Sequence, residues 1–574
     1  MTDTLLPSAL VAPLFSSAAM RAVLDDRARV QRMLDFEAAL ARAEAAVGVI
    51  PASAAGDIGD ACRATRYDLA ALSEAAARTG NVADPLIAAL TAEVAKRNPQ
   101  SAGFVHWAAS IQDVIDTALV LELRAVIDAL LVELDRATKA FTALAGRHRR
   151  TMTIARTALR QTLPMPFGLK VAGYAAALAR ARERLRRLRR DALALQFGGS
   201  AGTLGALGDD GLDVSERLAA LLDLPHPDAP WHSHRDRLAD IASGLAILAG
   251  SCGKIARDVA LLMQSEVAEV SERQREPIAA SAALAAASLA PQLAATIITS
   301  QVQEHERAVG GWQSEWATFP ALALTVSGAL QAVVDIAEGL EVDVERMKAN
   351  LEASGGQVFA EAVAYALAGK LGRGTAMDIV TELARKAAAE KRPLRETLAA
   401  DQRISAQLDQ AALERLFLPT NYLGAAQTFI DRLVASSQGR LVRRPTEIKP
   451  RMPEPKPAVS APPIPTVKPV VSAPPVEAIN PVVEPAAVLA PVQPEPAPQP
   501  EPLPAAQPEP VPAASPAAAE QKADVMPAVQ APPTPPSEPT PATEEPSALL
   551  EAFNRVAEAA GQLASNPDRE RKPE

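Results

Sequence analysis

Apolar residues along the first 440 positions recur every three or four residues, the spacing of helices that bury one face. In DDRARVQRMLDFEAALARAEAAVGVIP, Val30, Met33, Leu34, Phe36, Leu40 and Ala41 share a side, and Pro51 closes the segment. IQDVIDTALVLELRAVIDALLVELDRATKAFTALAGRHR continues unbroken for longer than an average globular helix. LADIASGLAILAGSCGKIARDVALLMQSEVAEV reads as another long helix, apolar nearly all round and running to Val270. Helices this long, several of them buried, predict a central bundle with shorter helical domains at either end. An elongated bundle with apolar stripes ordinarily covers them by forming an oligomer.

The pattern breaks near residue 440. Residues 441–550 form a tract typified by PVQPEPAPQPEPLPAAQPEP, too rich in proline and too poor in large apolar residues for a core. It reads as an extended, polyproline-II-like, disordered spacer, with docking to proline-binding modules as the alternative. PSALLEAFNRVAEAAGQLAS follows. Ser547 is placed to cap a short helix with Leu549, Leu550, Phe553, Val556, Ala557, Ala560 and Leu563 on one face. Such a tethered amphipathic helix is a partner-binding or self-docking peptide, or a helix with no partner. The predicted fold class is all-α. The N-terminal helical domain spans 1–100, the central long-helix bundle 101–355 and the C-terminal helical domain 356–440. A disordered linker covers 441–545, and a short helix and tail cover 546–574.

Composition narrows the chemistry. Only 3% of residues are aromatic while 48% are apolar, so Ala, Leu and Val carry the cores, which favours packed helices over a β-sandwich. A net charge of −10 gives no global attraction to nucleic acid or an anionic membrane. Cys62 and Cys252, far apart in sequence, suggest no disulfide framework and fit a reducing compartment. No basic leader and no apolar run of roughly 18 residues is evident, so a soluble cytoplasmic chain is expected.

Several motifs carry less than they first suggest. The run ARARERLRRLRRDAL (Ala179 to Leu193) lacks interleaved aromatics and reads as a solvated helix face. QFGGSAGTLGALGDDG (Gln196 to Gly211) is glycine-rich but lacks the Gly-Lys-Ser/Thr ending of a phosphate loop, leaving a flexible, substrate-facing loop. His232 and His234 in PWHSHRDR mark a bend entering a helix rather than a metal site, and no cofactor or metal is called for. Two stretches place polar groups within apolar helices. VHWAASIQDVIDT carries His106, Ser110, Gln112, Asp113, Asp116 and Thr117, and ARTALRQTLPMPFGLK carries Thr157, Arg160 and Gln161.

Together with GGSAGTLGALGDDGLDV, QEHERAVGGWQSEW, GLEVDVERMKANLEASGG and LERLFLPTNYLGAA, these segments resemble the fumarase/aspartase superfamily over roughly residues 8–437. Within it they look most like the bacterial 3-carboxy-cis,cis-muconate cycloisomerases. The resemblance implies a three-domain helical subunit, a homotetramer, and active sites built from three subunits. It also implies a di- or tricarboxylate substrate whose carboxylate adds across a double bond. Charge then grows on a neighbouring carboxylate, to be met by placed donors while an acid or base moves the carbon-bound proton. Binding roles would fall to Gln112, Thr157, Gln161, His232, Arg235 and Arg307.

The departures are as specific as the matches. The family's Thr-Ser pair reads Ser110-Ile111 here, and the glycine before it is Ala108. Ala158 stands where the family has His or Trp, and Arg160 where Gln is usual. The signature loop, whose serine is taken as the base, is missing: EVAEVSE runs directly to RQREP, with Ser271 left at the expected helix end. Of the remaining residues, Ser110 and His106 are the candidates for a substitute base. The sequence therefore predicts an impaired cycloisomerase, or a pseudoenzyme scaffold acting through its proline-rich tail and terminal helix.

Overall fold

The structure, a computed structural model, describes residues 10–438; the expectations for 441–574 lie outside them. Helix α1 (Asp26–Val47) is followed by α2 (Leu69–Thr79), α3 (Ala83–Arg97) and the long α4 (Ile111–Arg147). A hairpin of β1 (Met152–Thr157) and β2 (Arg160–Pro166) leads into α5 (Phe167–Asp191). Helices α6 (Asp236–Met263), α7 (Ile278–Thr299) and α8 (Gly311–Gly339) complete the bundle. A second short ladder pairs Val270 and Ser271 with Val342 and Glu341.

Helix α4 packs on α5 and α8, and α6 on α5, α7 and α8, so each long helix buries a stripe against at least two others. One continuous core runs from Met20 to Met347 and takes in Ile430, while Val363 to Leu413 enclose a separate small core. At Gly328 the N-terminal segment crosses α8 so closely that an added Cβ would meet the Phe15 carbonyl oxygen at 2.2 Å; only glycine fits there. Cys62 and Cys252 are buried free thiols.

Four local expectations are corrected. ARTALRQTLPMPFGLK is a hairpin, not part of a helix: Thr153 pairs with Met165 and Thr157 with Arg160. Pro164 and Pro166 forbid a helix interior there, and Ala158 and Leu159, at φ 49° and 63°, make the tight turn. Helix α6 ends at Met263, so Ser271 lies in a short strand rather than a helix end. Helix α1 stops at Gly48 (φ 97°), before Pro51. Finally, α7 and α8 are long and apolar enough by composition to cross a bilayer, although no such run was expected. In α7 many alanines, with Leu284, Leu289, Leu293, Ile297 and Ile298 spaced among them, carry the hydropathy. The apolar window of α8 is 83% buried, as in a core helix, and that of α7 only 28%.

Candidate functional site

At the start of α4, Ser110 and Asp113 cap each other. The Ser110 hydroxyl donates to Asp113 Oδ2 at 2.9 Å and accepts from the Asp113 backbone N–H at 3.3 Å; Oδ2 also takes the Ser110 N–H. This reciprocal box is what the Ser-x-x-Asp spacing allows, and it occupies the hydroxyl. Asp113 accepts three further bonds, from Gln196 Nε2 and the N–H groups of Gly198 and Gly199. Burial pushes its carboxyl up, and these donors pull it back. They also pin residues 196–199, so the glycine-rich stretch is anchored at its base rather than flexible throughout.

Deeper in, Arg235 is fully buried. Nη1 and Nη2 grip Asp116 at 2.6 and 3.0 Å, Nε donates to Glu315 Oε1 at 3.0 Å, and Nη2 makes a second bond to Glu315 Oε2. Nη1 also reaches the His232 carbonyl at 3.4 Å. All five guanidinium hydrogens are thus engaged, and Arg235 keeps none for a ligand. Burial opposes its charge, but the two carboxylates more than restore it. Asp116 further accepts from Trp312 Nε1 and from Gln112 Nε2.

Around this clamp lie groups with unused capacity. Gln112 Oε1 and both ring nitrogens of His232 are buried without a partner. Gly202, at φ 77°, brings its backbone against the His232 ring. Burial lowers the His232 pKa, Asp116 opposes this, and the nearby charge of Arg307 adds to the lowering, a balance that favours the neutral ring. Arg307 itself is exposed in the loop before α8. His106 Nδ1 meets the buried Glu37 at 2.7 Å. Burial works against the imidazolium, but Glu37 outweighs it and raises the pKa. His106 and Ala108 both hold φ 55°, a left-handed backbone that glycine adopts more cheaply.

Thr157 and Gln161 stand elsewhere, exposed at the hairpin tip. The hairpin is fastened by Arg156, which binds the buried Glu269 at 2.7 Å; Thr153 and Asn350 also donate to Glu269. Three residues on, the chain closes tightly: Arg275 N–H donates to the Glu272 carbonyl at 2.8 Å with Arg275 at φ 63°. The Glu272 carboxylate accepts from Ala279 and Ala280 N–H, each at 2.9 Å, capping α7. A cavity of about 920 Å³ beside this turn is lined by Arg273, Glu276, Asp335 and Glu338 among others, an acidic rim unsuited to a polycarboxylate.

Helix α4 sets the scale. Its 37 residues span about 55 Å, with Ser110 at one end and the hairpin just past the other. Helix α8 repeats the layout: Trp312 touches Asp116 at its start, and Gly339 lies against Arg273 at its end. One chain therefore brings together Ser110, Gln112, His232 and Arg235, near His106 and Arg307, and holds Thr157, Gln161 and the 272–277 turn far away. The partner carboxylates Glu37, Glu269 and Glu315 were not anticipated. Glu37 and Glu315 showed only as charged residues on helix faces otherwise apolar, and Glu269 lies in the bend before Val270.

Residues 15–281 match the lyase family and residues 356–433 the adenylosuccinate lyase C-terminus. A 3-carboxy-cis,cis-muconate cycloisomerase of Bradyrhizobium diazoefficiens is 59% identical over 442 residues, covering 75% of this chain and 98% of that protein. A nitrosuccinate lyase of Streptomyces davaonensis is 37% identical over 74% of this chain and 94% of its own. The crystal structure of the 3-carboxy-cis,cis-muconate lactonizing enzyme from Pseudomonas putida matches with a TM-score of 0.73 at 43% identity, covering 75% of this chain and all of that one.

Proposed function

This chain belongs to the fumarase/aspartase-like lyase family, and on that premise we propose that it is a cycloisomerase-type subunit that binds a muconate-like polycarboxylate but turns it over poorly. The closed turn at Glu272–Pro277 carries the reading. It offers no hydroxyl to serve as base; of its two carboxylates, Glu272 is spent on the N-terminus of α7 and Glu276 lines the acidic cavity beside the turn. The other hydroxyl candidate, Ser110, is held in the cap of α4, beside an Asp113 already loaded with donors. His106, held toward the imidazolium by Glu37, suits an anion-binding or acid role better than that of a base at neutral pH. General acid/base groups contribute typically 10²–10⁴-fold, so losing one leaves most of the pocket but little of the rate.

Binding is supported at the Ser110 end by the unpartnered Gln112 and His232 groups and by the exposed Arg307. Thr157 and Gln161 would join them only from another copy of the chain, because about 55 Å of helix separates the two groups within one. A homotetramer places such ends together. It would also cover α7, where Leu289 and Ile298 are exposed. Free buried thiols accord with a cytoplasmic location.

The test is an assay with 3-carboxy-cis,cis-muconate, following loss of diene absorbance, on the native chain and on one with a family loop grafted between Glu272 and Pro277. Little turnover in the native chain and a gain of at least about 10²-fold in the graft is the expected result. Ordinary turnover by the native chain would overturn the proposed impairment. The second reading, a scaffold acting through residues 441–574, is favoured by their proline-rich composition. It predicts silence in both chains and loss of a cellular partner on truncation at 440.

A further inference from the structure

The small C-terminal core has a second, uncovered side. Helices α9 (Ala360–Leu371) and α10 (Arg373–Ala389) pack on each other, and Ala376, Ile379, Leu383 and Ala387 of α10 face that core. A further stripe on α10, formed by Met377, Thr381, Ala384 and Ala388, follows the i, i+4, i+7, i+11 spacing of one helix face. It lies roughly 100° round the helix from the core-facing stripe. Met377 within it is 38% exposed.

This stripe walls a cavity of about 480 Å³, closed on the other sides by Val358, by Ala364 of α9 and by Leu163 of the hairpin. Val358, Ala364 and Val380 are buried and make an apolar floor, and the alanines of α10 leave the space above it open. The size suits a small-molecule site. No residue of the Arg235 cluster lines it.

Two polar side chains of the wall are already committed. Gln357 Nε2 donates to the Ala384 carbonyl at 3.1 Å, and the Thr162 hydroxyl donates to the Ala155 carbonyl at 3.0 Å. Two charged ones are not. Glu361 on α9 and Arg385 on α10 both line the cavity, and among the described residues neither makes an ion pair or hydrogen bond. Gly372, at φ 78°, is the whole link between the two helices, so the chain doubles back and the start of α9 meets the end of α10. Both side chains are exposed. The cavity therefore offers one free carboxylate and one free guanidinium at the rim of an apolar floor.

From this we infer that the cavity binds a free α-amino acid with a large apolar side chain, its carboxylate on Arg385, its ammonium on Glu361 and its side chain over Val358, Val380 and Met377. The guanidinium fork suits a carboxylate, and the Glu361 carboxylate accepts from an ammonium. A ligand carrying only one of the two charges meets one partner and one like charge. A zwitterion without a side chain leaves the apolar floor to water.

The experiment measures L-leucine binding to the full-length chain by ligand-observed NMR, with glycine, N-acetyl-L-leucine and L-leucinamide as comparators. Leucine should bind, and each comparator should bind at least about tenfold more weakly. Arg385→Gln and Glu361→Gln each remove one charge at an exposed position, so the thermal melt should stay that of the parent. Each should weaken leucine by about five- to tenfold. In Arg385→Gln the preference for leucine over leucinamide should vanish, and in Glu361→Gln that over N-acetyl-leucine. Leucine binding indifferent to both substitutions would place the ligand elsewhere and overturn the inference. So would a comparator that binds as tightly as leucine, or no saturable leucine signal at millimolar concentration.

Discussion

The two ends of the long bundle handle buried charge in opposite ways. At the Ser110 end, Asp116, Glu315 and Arg235 form a closed, fully buried network, and Gln112 and His232 keep unpaired atoms beside it. At the hairpin end, Arg156 and Glu269 tie the backbone together, and Glu272 spends its carboxylate on the nearest helix terminus. The first end keeps unused hydrogen-bonding capacity in a buried frame. The second is a short, hydrogen-bonded turn, the one to which the proposed function assigns the lost chemistry. About 55 Å of helix separates the two, so on that proposal one end could lose chemistry while the other keeps its frame.

The largest effect that would break this contrast is kinetic. Grafting a loop into the hairpin end should raise turnover by at least about 10²-fold while unfolding stays within about 1 kcal/mol of the parent, read by urea melts. At the Ser110 end, Arg235→Met leaves Asp116 and Glu315 buried without their cation. The expected loss is about 3–5 kcal/mol in urea unfolding, far more than any single change at the turn.

A pH test probes the buried acids next to the Ser110 end. Glu44 is buried, and desolvation, with help from Glu37, raises its pKa to about 9. A carboxyl raised on folding binds its proton more tightly in the native state. Its stabilising protonation is complete below the unfolded value of about 4.5 and is lost as pH rises toward 9. Glu44→Gln should flatten that decline and stabilise the chain by roughly 1–3 kcal/mol at neutral pH, with the gap closing below pH 5. Smaller again, Glu272→Ala removes the cap of α7 and should cost about 1 kcal/mol. Ala108→Gly relieves a left-handed backbone and should gain up to about 1 kcal/mol, measured by thermal melts.

Much of the frame was legible in the sequence. The 3.6-residue period located α1, α4 and α6 because one buried stripe runs the length of each. The Ser110-x-x-Asp113 spacing marked the start of α4, since such a pair satisfies two terminal N–H groups at once. The hairpin was missed although its evidence was present. Met152 and Ile154 alternate with polar neighbours, and Pro164 and Pro166 exclude a helix, but the apolar segments on either side masked a short period-two pattern. Gln112 donates to the His232 carbonyl, and Arg307 lies near enough for its charge to act on the His232 ring. Arg235 proved to be saturated because its two carboxylates lie 119 residues before it and 80 after it in sequence. No local pattern announces a partner at that distance.

The length of α4 has a genetic consequence. In the proposed tetramer each copy would lend its two ends to different neighbours, so a defect at one end and a defect at the other need not be additive in a mixed population. Co-expressing an Arg307→Ala chain with a Gln161→Ala chain, both carrying the grafted loop, would let some assemblies draw every group from an undamaged end. The yield of such mosaics is set by random sorting of copies. Alleles at this locus would then complement one another, or poison a wild-type pool, according to which end they strike.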